Sequence, residues 1–348
     1  MKAVCFNGIG QVISQNIEDP AILEENDAIV SIETAGLCGS DLHPFWGREA
    51  GLDLGTVMGH EFVGTVVETG KAVSKVSVGD RVFAPFSTSC GECFYCESGL
   101  NSRCPKGQLF GWRSNGMGLH GGQGQFVRVP LANGSLMRVP DGLTNDAALL
   151  LGDNFSTGYF CAELAEVKPG GTYAVIGCGT VGLLCVMSAI AMGATNVVAI
   201  DRVPSRLAIA KELGASIFDN ENEAFEYLGK LTNGRGADAV MELVGMPEAQ
   251  RLAYRLLRPG GILSVIGCHC SEHFSFSPVD AYDKNLTYRT GRCPARHYMD
   301  LLSNRVAIGE FDLSRFITHR FQLDDCVRAY DVFSNRRDGC LKAVFNVN

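Results

Sequence analysis

Short runs of β-branched residues, each closed by glycine, proline or another turn residue, dominate the first 150 residues. The segments AIVSIETAG (28–36), FVGTVVETG (62–70) and GQFVRVP (124–130) alternate or group apolar residues over strand-like lengths. Turn residues follow each run immediately, which is typical of short strands joined by tight connections. This part of the chain is therefore predicted to form a small, irregular all-β domain.

The pattern changes near residue 155, where helix and strand signals begin to alternate. Four segments rich in Val and Ile have almost no polar alternation: TYAVIG (172–177), NVVAID (196–201), ADAVMELVG (237–245) and ILSVIGC (262–268). Such strands are typical of a parallel sheet that helices cover on both faces. After about residue 290 the pattern loosens, and it predicts one more helix, within 323–336, and a final strand at 342–347.

Charge and composition narrow the possible partners. The 348 residues carry a net charge of −8 and contain no long basic block, which argues against nucleic acids and anionic membranes as partners. The longest apolar run, 181–194, is too short to span a bilayer, and the segment MKAVCFNGIG lacks the apolar core of a signal peptide. We therefore expect a cytoplasmic protein, in which 14 cysteines serve as ligands or buried residues rather than in disulfides.

A glycine motif lies between an apolar strand and an apolar helix. It consists of Gly177, Cys178, Gly179, Thr180, Val181 and Gly182. The next strand ends in Asp201, which completes the fingerprint of a dinucleotide site. The first glycine permits a tight turn, the second lets a pyrophosphate approach the backbone, and the third lets helix and strand pack closely. A turn of this kind without a ligand is the alternative.

The charges near this motif predict which dinucleotide binds. Asp201 can accept hydrogen bonds from ribose hydroxyls and would repel a 2′-phosphate, so NAD is favoured over NADP. Arg202 follows directly and could soften that preference. Arg206 is a second candidate for a ribose or phosphate contact, although it could equally be a solvated helix residue.

Four cysteines form a compact motif, C-x2-C-x2-C-x7-C, at Cys90, Cys93, Cys96 and Cys104. Four thiolates at this spacing suit a tetrahedral structural Zn²⁺ that is closed to substrate. An iron–sulfur cluster is the rival interpretation, but the ferredoxin run requires three residues before the last cysteine rather than seven. Four merely buried thiols are the remaining alternative. The motif predicts a lobe that orders a loop and performs no chemistry.

The segments AGLCGSDLH (35–43) and VMGHEFVG (57–64) offer better groups for catalysis. Cys38, His60 and Glu61 are a soft, a borderline and a hard ligand, and a catalytic zinc needs three protein ligands and one open position. The remaining ligand must come from elsewhere in the chain, and spacing alone does not select it. Taken singly, Cys38 could be a buried thiol and His60 a core histidine.

Together these motifs resemble the zinc-dependent medium-chain alcohol dehydrogenases over essentially the whole chain. The resemblance rests on GLCGSDLH, GHEFVGTVVETG, the four-cysteine lobe, IGCGTVG and VVAID, in the family's order. It implies an α/β protein in which a GroES-like β-barrel catalytic domain is joined to a Rossmann domain with a doubly wound parallel sheet. The implied boundaries are 1–154 for the catalytic domain with the zinc sites, 155–290 for the NAD-binding domain and 291–348 for a C-terminal return to the catalytic domain.

The resemblance also assigns ligands. It matches Cys38 and His60 to the family's catalytic zinc ligands, and Glu61 to a neighbouring carboxylate that can enter the coordination sphere. The third position matches Asp153, where many relatives have cysteine and other branches use aspartate. This substitution makes the metal site harder, and it could weaken zinc retention or change the substrate preference.

Further roles follow from the same resemblance. Ser40 matches the hydroxyl that forms a hydrogen bond with the zinc-bound alcohol. His43 matches the residue that passes the proton outward through the nicotinamide ribose. Asp41 matches a carboxylate that orients His60. Phe86 matches an aromatic wall of the pocket, and Thr157 a residue near the nicotinamide.

The implied enzyme transfers hydride reversibly between a primary or secondary alcohol and NAD⁺, giving an aldehyde or ketone. It uses one catalytic and one structural Zn²⁺ per chain, and we expect a homotetramer. Polyol, L-threonine and formaldehyde dehydrogenases of the same superfamily are alternatives. From a different class, a non-catalytic nucleotide-binding relative could keep the fold, although such relatives lose metal ligands and here the set is complete.

Overall fold

The computed structural model describes residues 1–347. Its strands are β1 (Lys2–Phe6), β2 (Val12–Asn16), β3 (Ala28–Leu37), β4 (Phe62–Thr69), β5 (Arg81–Phe83), β6 (Trp112–Ser114), β7 (Met117–Leu119), β8 (Phe126–Val129), β9 (Met137–Arg138), β10 (Thr172–Ile176), β11 (Asn196–Ile200), β12 (Ser216–Phe218), β13 (Ala237–Glu242), β14 (Leu257–Val265), β15 (Thr287–Thr290), β16 (His319–Phe321) and β17 (Ala343–Asn346). Its α-helices are α1 (Leu42–Phe45), α2 (Phe94–Glu97), α3 (Ala132–Ser135), α4 (Asn145–Gly152), α5 (Asn154–Leu164), α6 (Thr180–Ala191), α7 (Pro204–Glu212), α8 (Glu221–Leu231), α9 (Pro247–Leu256), α10 (Pro278–Asp283), α11 (Ala295–Ala307) and α12 (Cys326–Ser334).

The chain divides into two compact units. One comprises Met1–Ser156 together with the segment that begins at Pro294, and the other comprises Thr157–Cys293. The predicted boundaries, after residues 154 and 290, lie close to these points. Within the described residues, no helix is both long and apolar enough to cross a membrane.

The first unit is built on a mostly antiparallel sheet with the order β16-β17-β3-β4-β5-β9, and β8 also pairs with β3. The long strand β3 is its centre, and its apolar residues belong to a buried core that includes Ile32, Leu37 and Phe62. Strand β17 pairs antiparallel with β3, so the end of the chain completes the sheet begun near its start. The predicted final strand is thereby confirmed.

The second unit contains a six-stranded sheet with the order β12-β11-β10-β13-β14-β15, in which every neighbouring pair is parallel. The predicted parallel sheet is therefore confirmed. The strand order reverses between β10 and β13, and open sheets of this type bind dinucleotides at that reversal, outside the carboxyl ends of the strands.

The prediction of a single helix after residue 290 was wrong, because α11 lies there in addition to α12. Tyr298, Met299, Leu302 and Val306 recur at helical spacing and are buried. Polar and charged residues occupy the intervening positions and dilute the apolar signal. Helix α4 was also not predicted, although its amino end carries a typical cap: the hydroxyl of Thr144 accepts a hydrogen bond from the Ala147 N–H.

Candidate functional site

Strand pairing brings the first group of candidate ligands together. Cys38 directly follows β3, whereas His60 and Glu61 directly precede β4. The two strands are antiparallel, with Ala35 opposite Phe62, so both ligand segments lie at the same end of the pair. Asp153 joins them from the junction of α4 and α5.

The donor atoms of Cys38, His60, Glu61 and Asp153 all lie within 4.8 Å of one another. The Asp153 Oδ2 atom is 3.4 Å from the Cys38 Sγ atom and 3.5 Å from the His60 Nε2 atom. Ligands placed tetrahedrally around zinc at its usual bond lengths are separated by about 3.3–3.8 Å. These residues therefore fit a zinc ion in donor type and in spacing.

The charges of this cluster also suit a cation. Burial raises the pKa of the Cys38 thiol, and the negative charges of Asp153 and Glu61 raise it further. The pKa of His60 is raised although burial opposes its protonation, because the charge of Asp41 and hydrogen bonds to the surrounding acids outweigh burial. The cluster therefore attracts positive charge. A bound Zn²⁺ would supply that charge and would favour the thiolate of Cys38 and the neutral imidazole of His60.

Asp41 fixes two of the ligands. Its Oδ1 atom lies 3.0 Å from the Nδ1 atom of His60, and its Oδ2 atom accepts a hydrogen bond of 2.8 Å from the Cys38 N–H. Because Nδ1 of His60 is engaged, its Nε2 atom faces the cluster. A carboxylate in this position sets the tautomer and direction of a ligating imidazole.

Two residues outside the predicted site hold the carboxylates. The Asn154 Nδ2 atom donates to Glu61 Oε1 (2.8 Å) and to Asp153 Oδ2 (3.0 Å). The Lys342 ammonium, which is buried, donates to Glu61 Oε2. The charge of Glu61 outweighs burial and raises the pKa of Lys342, so this group is held as a cation.

Neither residue carries a local signal, because 93 and 281 residues separate Asn154 and Lys342 from Glu61. Lys342 directly precedes β17, whose pairing with β3 delivers it to the cluster. Gly36 also contributes to the site, because a Cβ atom there would lie 1.9 Å from Glu61 Oε2. The position of the Glu61 carboxylate thus requires glycine at this point of β3.

Of the other predicted residues, Ser40 and Phe86 lie next to His60. The Ser40 hydroxyl is 3.3 Å from the His60 Nε2 atom, and the Phe86 ring meets His60 edge-on at a centroid distance of 6.5 Å. His43 lies on α1, where burial and then the charge of Arg48 lower its pKa against the opposing effect of Asp41. Thr157 lies in α5 and belongs to the second unit.

The four-cysteine lobe brings its sulfur atoms together within 4.8 Å. The Cys93 and Cys96 sulfurs are 3.5 Å apart, and Cys90 to Cys96 and Cys93 to Cys104 are each 4.0 Å. The edge of a ZnS₄ tetrahedron is about 3.8 Å, whereas an iron–sulfur cluster would spread its thiolates over more than one iron. The lobe therefore fits a single zinc ion. Hydrogen bonds, chiefly from the Cys96 backbone, lower the pKa of Cys93 to about 7.

In the second unit, the structure explains why each of the three motif positions is occupied by glycine. Gly177 has a φ of +91°, and a Cβ atom there would lie 2.6 Å from the Val244 side chain. A Cβ atom on Gly182 would lie 1.7 Å from the Gly177 oxygen. Gly179 is the N-cap of α6, which begins at Thr180 and continues with Val181, and only Arg206 Nη1, at 3.9 Å, comes near its missing side chain. This open approach suits a pyrophosphate at the helix N-terminus.

Asp201 is predicted to contact a ribose, and it also has a structural role in the turn. Its Oδ2 atom accepts a hydrogen bond of 2.6 Å from the Cys178 N–H, and its Oδ1 atom accepts one of 2.8 Å from the Val203 N–H. Asp201 therefore ties the glycine turn to the end of β11. A carboxylate has about four acceptor positions, so two remain for ribose hydroxyls.

Two family models match the chain. The alcohol dehydrogenase GroES-like domain matches residues 24–141, and the zinc-binding dehydrogenase domain matches residues 180–304. The first range includes Cys38, His60, Glu61 and the cysteine lobe. Asp153 and the first two glycines of the motif lie between the two ranges, so these positions depend on the geometry above.

Individual proteins resemble the chain over most of its length. Zinc-type alcohol dehydrogenase B of Aspergillus flavus is 40% identical over 343 residues, which cover 96% of this chain and 79% of that protein. The solved structure of alcohol dehydrogenase TADH from Thermus sp. ATN1 superposes with a TM-score of 0.93 at 34% identity and covers all of both chains. A dehydrogenase of Sinorhizobium meliloti 1021, solved with NADP, is 27% identical with a TM-score of 0.81, covering 99% of this chain and 98% of that one.

Proposed function

This chain belongs to the family of zinc-type alcohol dehydrogenases, and from that premise we propose that it oxidises a primary or secondary alcohol with NAD⁺, reversibly, to an aldehyde or ketone. The family membership makes the chain an oxidoreductase. The observation that carries the proposal is the meeting of Cys38, His60 and Asp153 in one buried cluster with zinc-like spacing. The complete ligand set supports an enzyme rather than a non-catalytic relative.

Cys38, His60 and Asp153 would hold the catalytic ion, which supplies Lewis-acid polarisation of the substrate oxygen when bound. NAD would lie on the glycine turn from Gly177 to Gly182 and supply the hydride acceptor. The remaining work falls to the side chains of the chain itself: they must orient the ligands, hold the neighbouring carboxylate and remove one proton from the alcohol.

Ser40 is suited to take that proton, because its hydroxyl lies 3.3 Å from the ligand atom of His60. It would accept the substrate's proton while donating its own toward His43, and the return of His43 to its neutral form would release a proton to solvent. The lowered pKa of His43 keeps this imidazole neutral at pH 7 and therefore able to accept. Asp41 keeps the His60 Nε2 atom directed at the cluster throughout.

Asp201 supports NAD rather than NADP as the coenzyme, because a 2′-phosphate would meet its carboxylate. Arg202 and Arg206 lie nearby in sequence, and the Sinorhizobium neighbour was solved with NADP, so the preference is a matter of degree. The homotetramer and the cytoplasmic location stay predictions.

A panel of primary, secondary, aromatic and polyhydric alcohols, assayed with NAD⁺ and with NADP⁺ at matched concentrations, tests the proposal. We expect the highest kcat/KM for a simple alcohol with NAD⁺. Removal of zinc by a chelator should abolish turnover, and added Zn²⁺ should restore it. Full activity of the metal-free protein, or a strong preference for NADP⁺, would contradict the proposal.

A further inference from the structure

A buried carboxylate that belongs to neither the ligand cluster nor the glycine turn lies at the carboxyl edge of the parallel sheet. Glu242 is the last residue of β13 and is fully buried. Its Oε1 atom accepts hydrogen bonds from the N–H groups of Val244 (2.7 Å) and Gly245 (2.9 Å). Its Oε2 atom lies 2.8 Å from the Nε2 atom of His269. A buried carboxylate needs such donors, because an unsatisfied charge would be costly.

Glu242 joins two loops. It directly precedes the loop after β13 (243–246), while His269 belongs to the loop after β14 (266–270). The Glu242 carbonyl oxygen also accepts hydrogen bonds from Ile266 N–H (2.9 Å) and Gly267 N–H (3.0 Å). The loops are in close contact, because a Cβ atom on Gly267 would lie 2.2 Å from the Gly245 nitrogen. The His269–Glu242 contact is thus the side-chain part of a clamp between them.

This clamp lies directly beside the glycine turn. The Leu243 N–H donates to the Ile176 oxygen (3.0 Å), and the Val244 side chain is the group that a Cβ atom on Gly177 would strike. Val244 is nevertheless 43% exposed and Met246 is 37% exposed, so the edge presents apolar side chains. The loops therefore belong to the surface on which a dinucleotide lies.

The topology assigns these loops to one half of the dinucleotide. Asp201 directly follows the neighbouring strand β11 on one side of the strand-order reversal, and an acidic residue there marks the adenosine ribose. Strands β13 and β14 lie on the other side of the reversal. Because a dinucleotide spans the reversal with one mononucleotide on each half, the loops after β13 and β14 receive the nicotinamide half.

We propose that His269 is a positioning residue for the nicotinamide half of the cofactor, acting through Glu242 to hold the two loops in their binding arrangement. The inference rests on the proposed use of NAD. Within residues 1–347, which the structure describes, His269 is the side chain that donates to Glu242 Oε2. Its loss leaves that oxygen buried without the donor, and the loop after β14 loses its side-chain anchor. The adenosine side, held by Asp201 and the glycine turn, keeps all its contacts.

Two variants and two probes test this inference. The variants are His269→Ala, which removes the donor, and His269→Gln, whose amide can still donate to Glu242. The probes are NADH, followed by fluorescence, and ADP-ribose, which lacks the nicotinamide, followed by calorimetry. His273→Ala is the matched control, since His273 is an exposed residue four positions along the same segment.

We expect His269→Ala to raise the Kd for NADH by about tenfold, since a charge-assisted hydrogen bond is lost, and to change the Kd for ADP-ribose by less than about twofold. His269→Gln should stay within about threefold of the wild type for both probes, and His273→Ala should be unchanged. Thermal unfolding of each variant shows that it is folded before binding is measured.

An unchanged affinity of His269→Ala for NADH would overturn the inference. An equal loss of affinity for NADH and ADP-ribose would also overturn it, because the clamp would then serve the whole site. Failure of the proposed function is a distinct result, in which the wild-type protein itself binds neither probe.

Discussion

The cluster of Cys38, His60, Glu61 and Asp153 and the cysteine lobe each fit one cation, yet they obtain their ligands in opposite ways. The lobe takes four identical donors from one stretch of chain, and 14 residues separate Cys90 from Cys104. The cluster takes mixed donors from three places, and 115 residues separate Cys38 from Asp153. In the cluster, polar side chains contact the ligands directly, among them Ser40 and Asp41 at His60 and Lys342 at Glu61. The difference agrees with the proposed roles, in which the lobe orders a loop and the cluster takes part in the reaction.

The largest expected effect concerns the cluster itself. Cys38→Ser should lower kcat/KM by about a thousandfold or more, because loss of Lewis-acid polarisation removes several kcal/mol of transition-state stabilisation. Zinc content should fall from two ions per chain to one. The Kd for NADH should stay near the wild-type value, since the glycine turn is unchanged. Loss of NADH binding together with turnover would contradict the separation of the two functions.

The next effect tests the buried ion pair that belongs to the cluster alone. Lys342→Met should reduce the free energy of unfolding by about 3 kcal/mol, because it leaves the Glu61 carboxylate buried without its cation. The double variant Lys342→Met with Glu61→Gln should recover much of this loss. Denaturant unfolding measures both.

A matched control exists in the same unit. Arg138 pairs with Asp80 at 2.8 Å, but the arginine side chain is 58% exposed. Arg138→Met should therefore change the free energy of unfolding by less than about 1 kcal/mol. Equal changes in the free energy of unfolding for Lys342→Met and Arg138→Met would show that the buried pair contributes no more to stability than the exposed pair.

The smallest effect concerns the lobe. Cys93→Ser should reduce the free energy of unfolding by about 2 kcal/mol and lower the melting temperature by roughly 4–8 °C, because the loop loses its metal anchor. The kcat of the folded fraction should change by less than about threefold, since no lobe residue enters the proposed chemistry. Ser98→Ala, at an exposed position of the same lobe, is the control. Normal melting with lost activity would assign the lobe a catalytic role.

The two regions also differ in how much of them could be predicted from the sequence. The grouping of the four lobe cysteines and the position of the glycine turn could be predicted from the sequence, because each is a run of neighbouring residues. Asp153 required the resemblance to a family. Asn154 and Lys342 escaped prediction, since an amide and a lysine have no pattern of their own and reach Glu61 only through the pairing of distant strands.

The same limit applies to the second unit. The near-absence of polar alternation in its apolar strands predicted the parallel sheet, and the motif before α6 predicted the turn. The contact between Glu242 and His269 joins two residues that are 27 positions apart in the chain. No sequence pattern in either loop predicts that they pair. Helix α11 escaped prediction for a different reason, since polar and charged residues between its buried apolar residues weaken the helical pattern.

The two hydrogen bonds that Asp201 accepts limit how the proposed coenzyme preference could be redesigned. Exchanging the aspartate for a small neutral residue would admit a 2′-phosphate, but it would also release the Cys178 and Val203 amides that now anchor the turn. A designer would have to supply replacement acceptors from the segment 202–206 at the same time. At this position one side chain serves both the choice of coenzyme and the rigidity of the glycine turn, so a substitution changes both.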